Sequence, residues 1–191
     1  MNCDCPTQMN KRFDVAHELL KAFWAVRSGP SIPVDIEGIC NFQNIKLVKS
    51  NSEDDFVGKV TQTHKGEAII VINMNKNAYW PRYRFTLAHE IAHFNLHLRE
   101  GMLQEYEDSE LTLLRKEDNW SPQEAEANRF AAQLLMPAMK IIEEAQRIIA
   151  EKHKQEELVE RKEFVRVMAN TFDVSNMAME FRLLNMGILG E

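Results

Sequence analysis

An α+β fold is predicted for this chain: a small antiparallel sheet packed against a buried helix core, with a helical extension at the C-terminus. Three observations carry the prediction. Strand-like runs at Ile45–Val48, Phe56–Thr61 and Glu67–Asn73 follow one another through connections too short to hold crossover helices. Helical spacing of apolar residues occupies both flanks of that region. The stretch from Arg84 to Leu98 carries Phe85, Leu87, Ala88, Ile91, Ala92, Phe94 and Leu96 on nearly every side, which marks a helix enclosed by other elements.

Taken in order, residues 11–28 read as an amphipathic helix, with Val15, Leu19, Phe23 and Val26 at helical intervals and Ala16, Leu20 and Trp24 beside them. Ser28-Gly29-Pro30 stops it. Residues 31–42 form a second, shorter helix with Pro33 near its start. Ile45–Val48 is a strand, Asn51–Asp55 a polar turn, and the next two strands flank the turn Thr63–Gly66. A polar loop from Asn73 to Pro81 feeds the enclosed helix. Residues 99–119 are rich in acids and lack a firm period, so they read as an irregular connection beside a cleft. Ser121-Pro122-Gln123-Glu124 is a helix start: serine as N-cap, proline in the first position, glutamate in the third. That helix runs to Met136 and is interrupted by Pro137. Residues 138–150 resume helical spacing, 151–163 form a solvated mixed-charge face, and 164–189 read as two short helices around Phe172-Asp173-Val174. The expected organisation is an N-terminal helix over 1–30, a main domain over 31–150 built around the enclosed helix, and a helical extension over 151–191.

Composition bounds the function. The 191 residues suffice for one domain with a real core, and 45% apolar with 27% charged residues is ordinary for a globular protein. A net charge of −6 argues against a broad nucleic-acid footprint. The longest aliphatic run, Ala68–Ile72, is far short of a membrane span, and the first residues lack the layout of an export signal, so a cytoplasmic protein is expected. Cys3, Cys5 and Cys40 do not make a disulfide framework, and the Cys3/Cys5 pair reads as a frayed reduced terminus rather than a metal site.

The enclosed helix carries His89-Glu90-Ile91-Ala92-His93. Residues four apart share a helix face, so both imidazoles point one way and can hold a zinc ion. Glu90 falls about a quarter turn away, within reach of water at the ion. Composition alone yields roughly 0.02 chance matches to this pentad in such a chain. Burying Glu90 and two histidines without partners would be costly, and a cation removes the cost.

A catalytic zinc usually takes a third protein ligand. A histidine placed as HExxHxxGxxH is absent, because Leu96 stands where the glycine would be. His97 is too far along the helix to share a tetrahedral ion with His89. Glu124 on the following helix is the better candidate, with Asn128 four residues on, placed to accept the N–H of a ligand histidine. Glu126 is the weaker candidate, and a plain capping role with Ser121 is the alternative for Glu124. Ala125, Ala127, Ala131 and Ala132 would let the two helices approach closely.

The Arg84–His97 segment and the Glu124–Pro137 segment (Glu-Ala-Glu-Ala-Asn-Arg-Phe-Ala-Ala-Gln-Leu-Leu-Met-Pro), in this order, resemble the ImmA/IrrE family of metallopeptidases, and the resemblance covers roughly residues 30–137. It implies a gluzincin-like zinc site with His89, His93 and Glu124 as ligands and Glu90 as general base. It further implies a bacterial, phage or mobile-element protein that relieves transcriptional repression by cleaving a helix-turn-helix repressor. An oxyanion donor would come from Tyr106, His97, His64, Tyr83 or His153. The Ala68–Ile72 strand offers a backbone edge to which an extended substrate could add.

Two other readings compete. Residues 172–184 have the layout of a helix-turn-helix with Ser175 as a cap, but Arg182 is the one basic residue there, so DNA binding is not expected. A metal-bound sensor that binds a partner without cutting it would keep the same pentad.

Overall fold

The computed structural model describes residues 11–98, 102, 104–109, 121–156 and 158–190. The first helix, α1 (Ala16–Ala25), buries Ala16, Leu19, Leu20 and Phe23, the stripe its spacing predicts. Helix α2 (Ile36–Phe42) begins later than expected, because the Asp35 carboxylate accepts from the Gly38 N–H at 2.8 Å and caps the helix there. Pro33 therefore stands outside it.

Four strands follow: β1 (Ile45–Ser50), β2 (Phe56–Gln62), β3 (Ala68–Asn73) and β4 (Gln104–Ser109). Their order is β1-β3-β2-β4. The pair β2/β3 is antiparallel, as expected, and β2 also pairs antiparallel with β4, whereas β1 lies parallel to β3, so the sheet is mixed. The cause lies in β3, whose Ala-Ile-Ile-Val-Ile run is the most apolar of the four and takes a central place, with neighbours on both edges. The expectation of an open backbone edge on Ala68–Ile72 is thereby overturned.

Strand β4 lies within the segment read as an irregular connection. Its side chains alternate, with Glu105 and Glu107 exposed and Asp108 buried. On the outer face Thr61 donates to Glu105 at 2.8 Å and Lys59 pairs with Glu107 at 3.6 Å, two directly opposed positions that hold the register. Between Phe56 and Gly58 the β2/β4 register slips, and the carbonyl of the extra residue, Val57, is satisfied by the Asn77 amide at 2.9 Å. Asn77 also accepts from the Thr86 hydroxyl, tying the slip to the central helix.

That helix, α3 (Trp80–Leu96), is buried from Tyr83 to Asn95 except at Phe85. It packs against β2, β3 and α4 (Pro122–Leu135). Ala88 and Ala92 on α3, and Ala127 and Ala131 on α4, are fully buried, the small residues that let two backbones come close. Pro137 ends α4 and starts α5 (Ala138–Lys154). Helices α6 (Arg161–Phe172) and α7 (Asn176–Asn185) follow, joined through Asp173 in the left-handed region at φ 58°. One apolar cluster runs from Phe13 through the sheet and α3 to Leu183. Among the described residues, no helix is long and apolar enough to cross a membrane.

Candidate metal centre

Helical spacing places His89 and His93 one turn apart, and their Nε2 atoms approach to 2.9 Å, aimed at one point. Ser121 caps α4 through its hydroxyl, which accepts from the Glu124 N–H at 3.2 Å. The Glu124 carboxylate turns to the histidines instead, with its oxygens 3.2 Å from His89 Nε2 and 3.4 Å from His93 Nε2. A fourth donor is Asp108 on β4, whose Oδ2 lies 2.8 Å from His89 Nε2 without the geometry of a hydrogen bond. The ligand atoms of His89, His93, Asp108 and Glu124 all lie within 4.8 Å of one another, so the cluster could hold a metal ion. Two imidazoles and two carboxylates are a donor set that suits zinc.

Glu90 is fully buried, and among the described residues neither carboxylate oxygen has a partner at hydrogen-bond distance and angle. Burial and the neighbouring Asp108 charge hold its carboxyl well above the ordinary range. Its room is made by Gly58, opposite Asp108 in the strand register. A methyl group at Gly58 would lie 2.6 Å from Glu90 Oε1 and 2.7 Å from Thr86 Cγ2. Gly58→Ala is expected to push Glu90 aside and to cost about 1–3 kcal/mol of stability from overpacking. Its metal content should stay at the parent level, which elemental analysis beside a thermal melt would check.

Burial disfavours a charged His89, yet Asp108 and Glu124 outweigh it and raise its pKa to about 10. Burial also works against an ionised Glu124, and His89 and His93 override it to hold that carboxyl low. For His93 burial prevails, and with His89 nearby its pKa falls. In the metal-free protein, a His89 proton held more tightly when folded stabilises most below pH 6.5, the ordinary histidine value, and that contribution fades as pH rises to about 10. Glu90 adds to the same slope, because ionising it in the folded state is unfavourable. In a chelator the melting temperature should therefore fall between pH 6.5 and 10, and a bound cation should reverse the trend by replacing the His89 proton.

The remaining candidate residues divide. Tyr106 stacks on the His93 ring with centroids 4.8 Å apart. His97 Nδ1 lies 2.9 Å from His93 Nδ1, and its Nε2 lies 3.2 Å from Glu126. Asn128 is partly buried, and among the described residues no hydrogen bond joins it to either histidine; His93 finds His97, and His89 Nδ1 is without a partner. Tyr83 donates its hydroxyl to Glu37, and His64 and His153 are exposed. Arg182 binds the Met136 carbonyl through Nε and Nη2, so the one basic residue of 172–184 is engaged inside the fold. The Cys3/Cys5 pair lies outside the described residues. Sequence reasoning missed Asp108, Gly58 and Asn77. The only trace of Asp108 was the alternation of Glu105, Tyr106, Glu107 and Asp108, which is too polar to register as a strand.

An α+β domain that buries a His/Asp/Glu cluster between a sheet and two helices has the residues to hold a metal ion. The peptidase family model described as IrrE N-terminal-like domain matches residues 40–184, and the chain belongs to this ImmA/IrrE family of metallopeptidases. No curated protein matches the chain.

Proposed function

We propose that this protein is a zinc-dependent endopeptidase that hydrolyses a bond in a protein substrate, with His89, His93 and Glu124 as metal ligands and Glu90 as general base. The observation that carries the reading is the convergence of the two imidazoles and Glu124 beside the fully buried Glu90 carboxylate. The ion, when bound, supplies Lewis acidity toward water and the peptide carbonyl. Glu90 would take the proton of the attacking water and pass it to the leaving amine.

The ring nitrogens are ordered from behind. Glu126 accepts the Nε2–H of His97, which leaves His97 Nδ1 to accept from His93 Nδ1–H and frees His93 Nε2 for the metal. Strand β4, at one side of the sheet, replaces β3 as the edge along which an extended substrate would lie. Tyr106 and His97 are the nearest candidates for an oxyanion donor, since both rings sit against His93.

The substrate that the family resemblance favours is a helix-turn-helix repressor, which would make the protein a cytoplasmic regulator of transcription on a phage or other mobile element. The test is incubation of the zinc-loaded protein with the repressor encoded beside its gene, followed by mass spectrometry of the products. Two defined fragments, absent when a chelator is added, are expected; an intact repressor removes this substrate.

A further inference from the structure

We infer that Asp108 is a fourth protein ligand of the same ion and that the arrangement described above is a closed, latent form of the site. The inference rests on the metal-site reading above and adds a means of regulating it. Catalytic zinc sites keep a position open for water beside three protein ligands, whereas sites with four protein ligands are closed. Here four donors converge.

The placement of Asp108 separates a ligand from a supporting residue. A carboxylate that orients a ligand imidazole does so from behind, through the nitrogen that does not face the metal. Asp108 instead lies against His89 Nε2, the nitrogen that also faces His93 and Glu124, while His89 Nδ1 has no partner. Asp108 is 3% exposed, its Oδ2 lies 2.8 Å from His89 Nε2, and among the described residues no Lys or Arg forms an ion pair with it. Two carboxylates, Asp108 and Glu124, buried against the same imidazole nitrogen are costly to hold together, and a divalent cation between them and the histidines removes the cost. Its place is fixed by the backbone: it faces Gly58 across the β2/β4 ladder, beside the register slip.

With Asp108 on the ion, no position remains for water, and Glu90 has no proton to take. Withdrawal of Asp108 leaves His89, His93 and Glu124 with one open position, so the aspartate sets how much of the protein is competent.

The test uses cobalt(II)-substituted full-length protein, its visible spectrum, and titration with acetohydroxamate, a small chelating anion that needs an open coordination position. Asp108→Ala and the isosteric Asp108→Asn should each bind one cobalt with an altered spectrum and take up hydroxamate at roughly tenfold lower concentration than the parent, as expected when a poorly populated open state becomes the main one. Identical cobalt spectra in parent and variants, or equal hydroxamate uptake, overturn the inference. A His89→Ala variant separates the two levels. If it still binds cobalt like the parent, the metal-site reading itself fails; if it loses cobalt while the Asp108 variants match the parent, only the role of Asp108 fails.

Discussion

Glu90→Gln should abolish substrate cleavage while leaving the metal in place. General acid–base catalysis contributes about 10²–10⁴ in rate, so turnover should fall by at least about a hundredfold. The amide matches the carboxylate in shape and fits the space beside Gly58, but it cannot accept a proton from water. His89, His93 and Glu124 should stay in place, because the glutamine and glutamate side chains have the same shape and size. The measurement is single-turnover cleavage beside elemental analysis of the same preparation. Undiminished cleavage by Glu90→Gln would remove Glu90 as the general base, whereas absence of cleavage by the metal-loaded parent would leave the non-catalytic sensor in place of the peptidase.

His89→Ala and Glu124→Ala should each empty the site. Loss of residues that only orient a ligand costs 10–100-fold in metal affinity, so loss of a ligand should exceed about a hundredfold. The parent, purified without added metal, is expected to carry about one equivalent of zinc, as a single four-coordinate site would. The Glu124 variant is the sharper of the two. Its helix start survives, since Ser121 caps the backbone N–H of residue 124 and not the side chain. A loss of zinc there would therefore report the carboxylate and not a frayed helix. Retention of a full equivalent in both variants would show that the ion, if bound, sits elsewhere.

Much of this site was readable before folding. His89 and His93 share a face because 3.6 residues make a turn, a property that needs no tertiary context. Glu124 was readable for a related reason: Ser121 and Pro122 mark where the helix starts, and the start sets which side chains share its faces. Glu126 was harder. It stands beside Glu124 in sequence, and only the position of His97 on the other helix gives it a partner. The same holds for Asn128, whose expected bond to a ligand histidine depended on how α4 rotates against α3.

What the chain determined by itself, then, is whatever travels within one turn or one cap: the buried helix, the paired imidazoles with Glu90 beside them, the entry to α4, and three of the four strands. The tertiary structure alone decided that β3 enters between β1 and β2, that β4 forms from a run of acids, and that Asp108 arrives opposite Gly58 beside the histidines. The reason is physical. Helix faces are set by local backbone geometry. Strand order and the partners of a polar edge strand are chosen by contacts between segments far apart in sequence, and a run such as Gln104–Ser109 carries no apolar period to announce them.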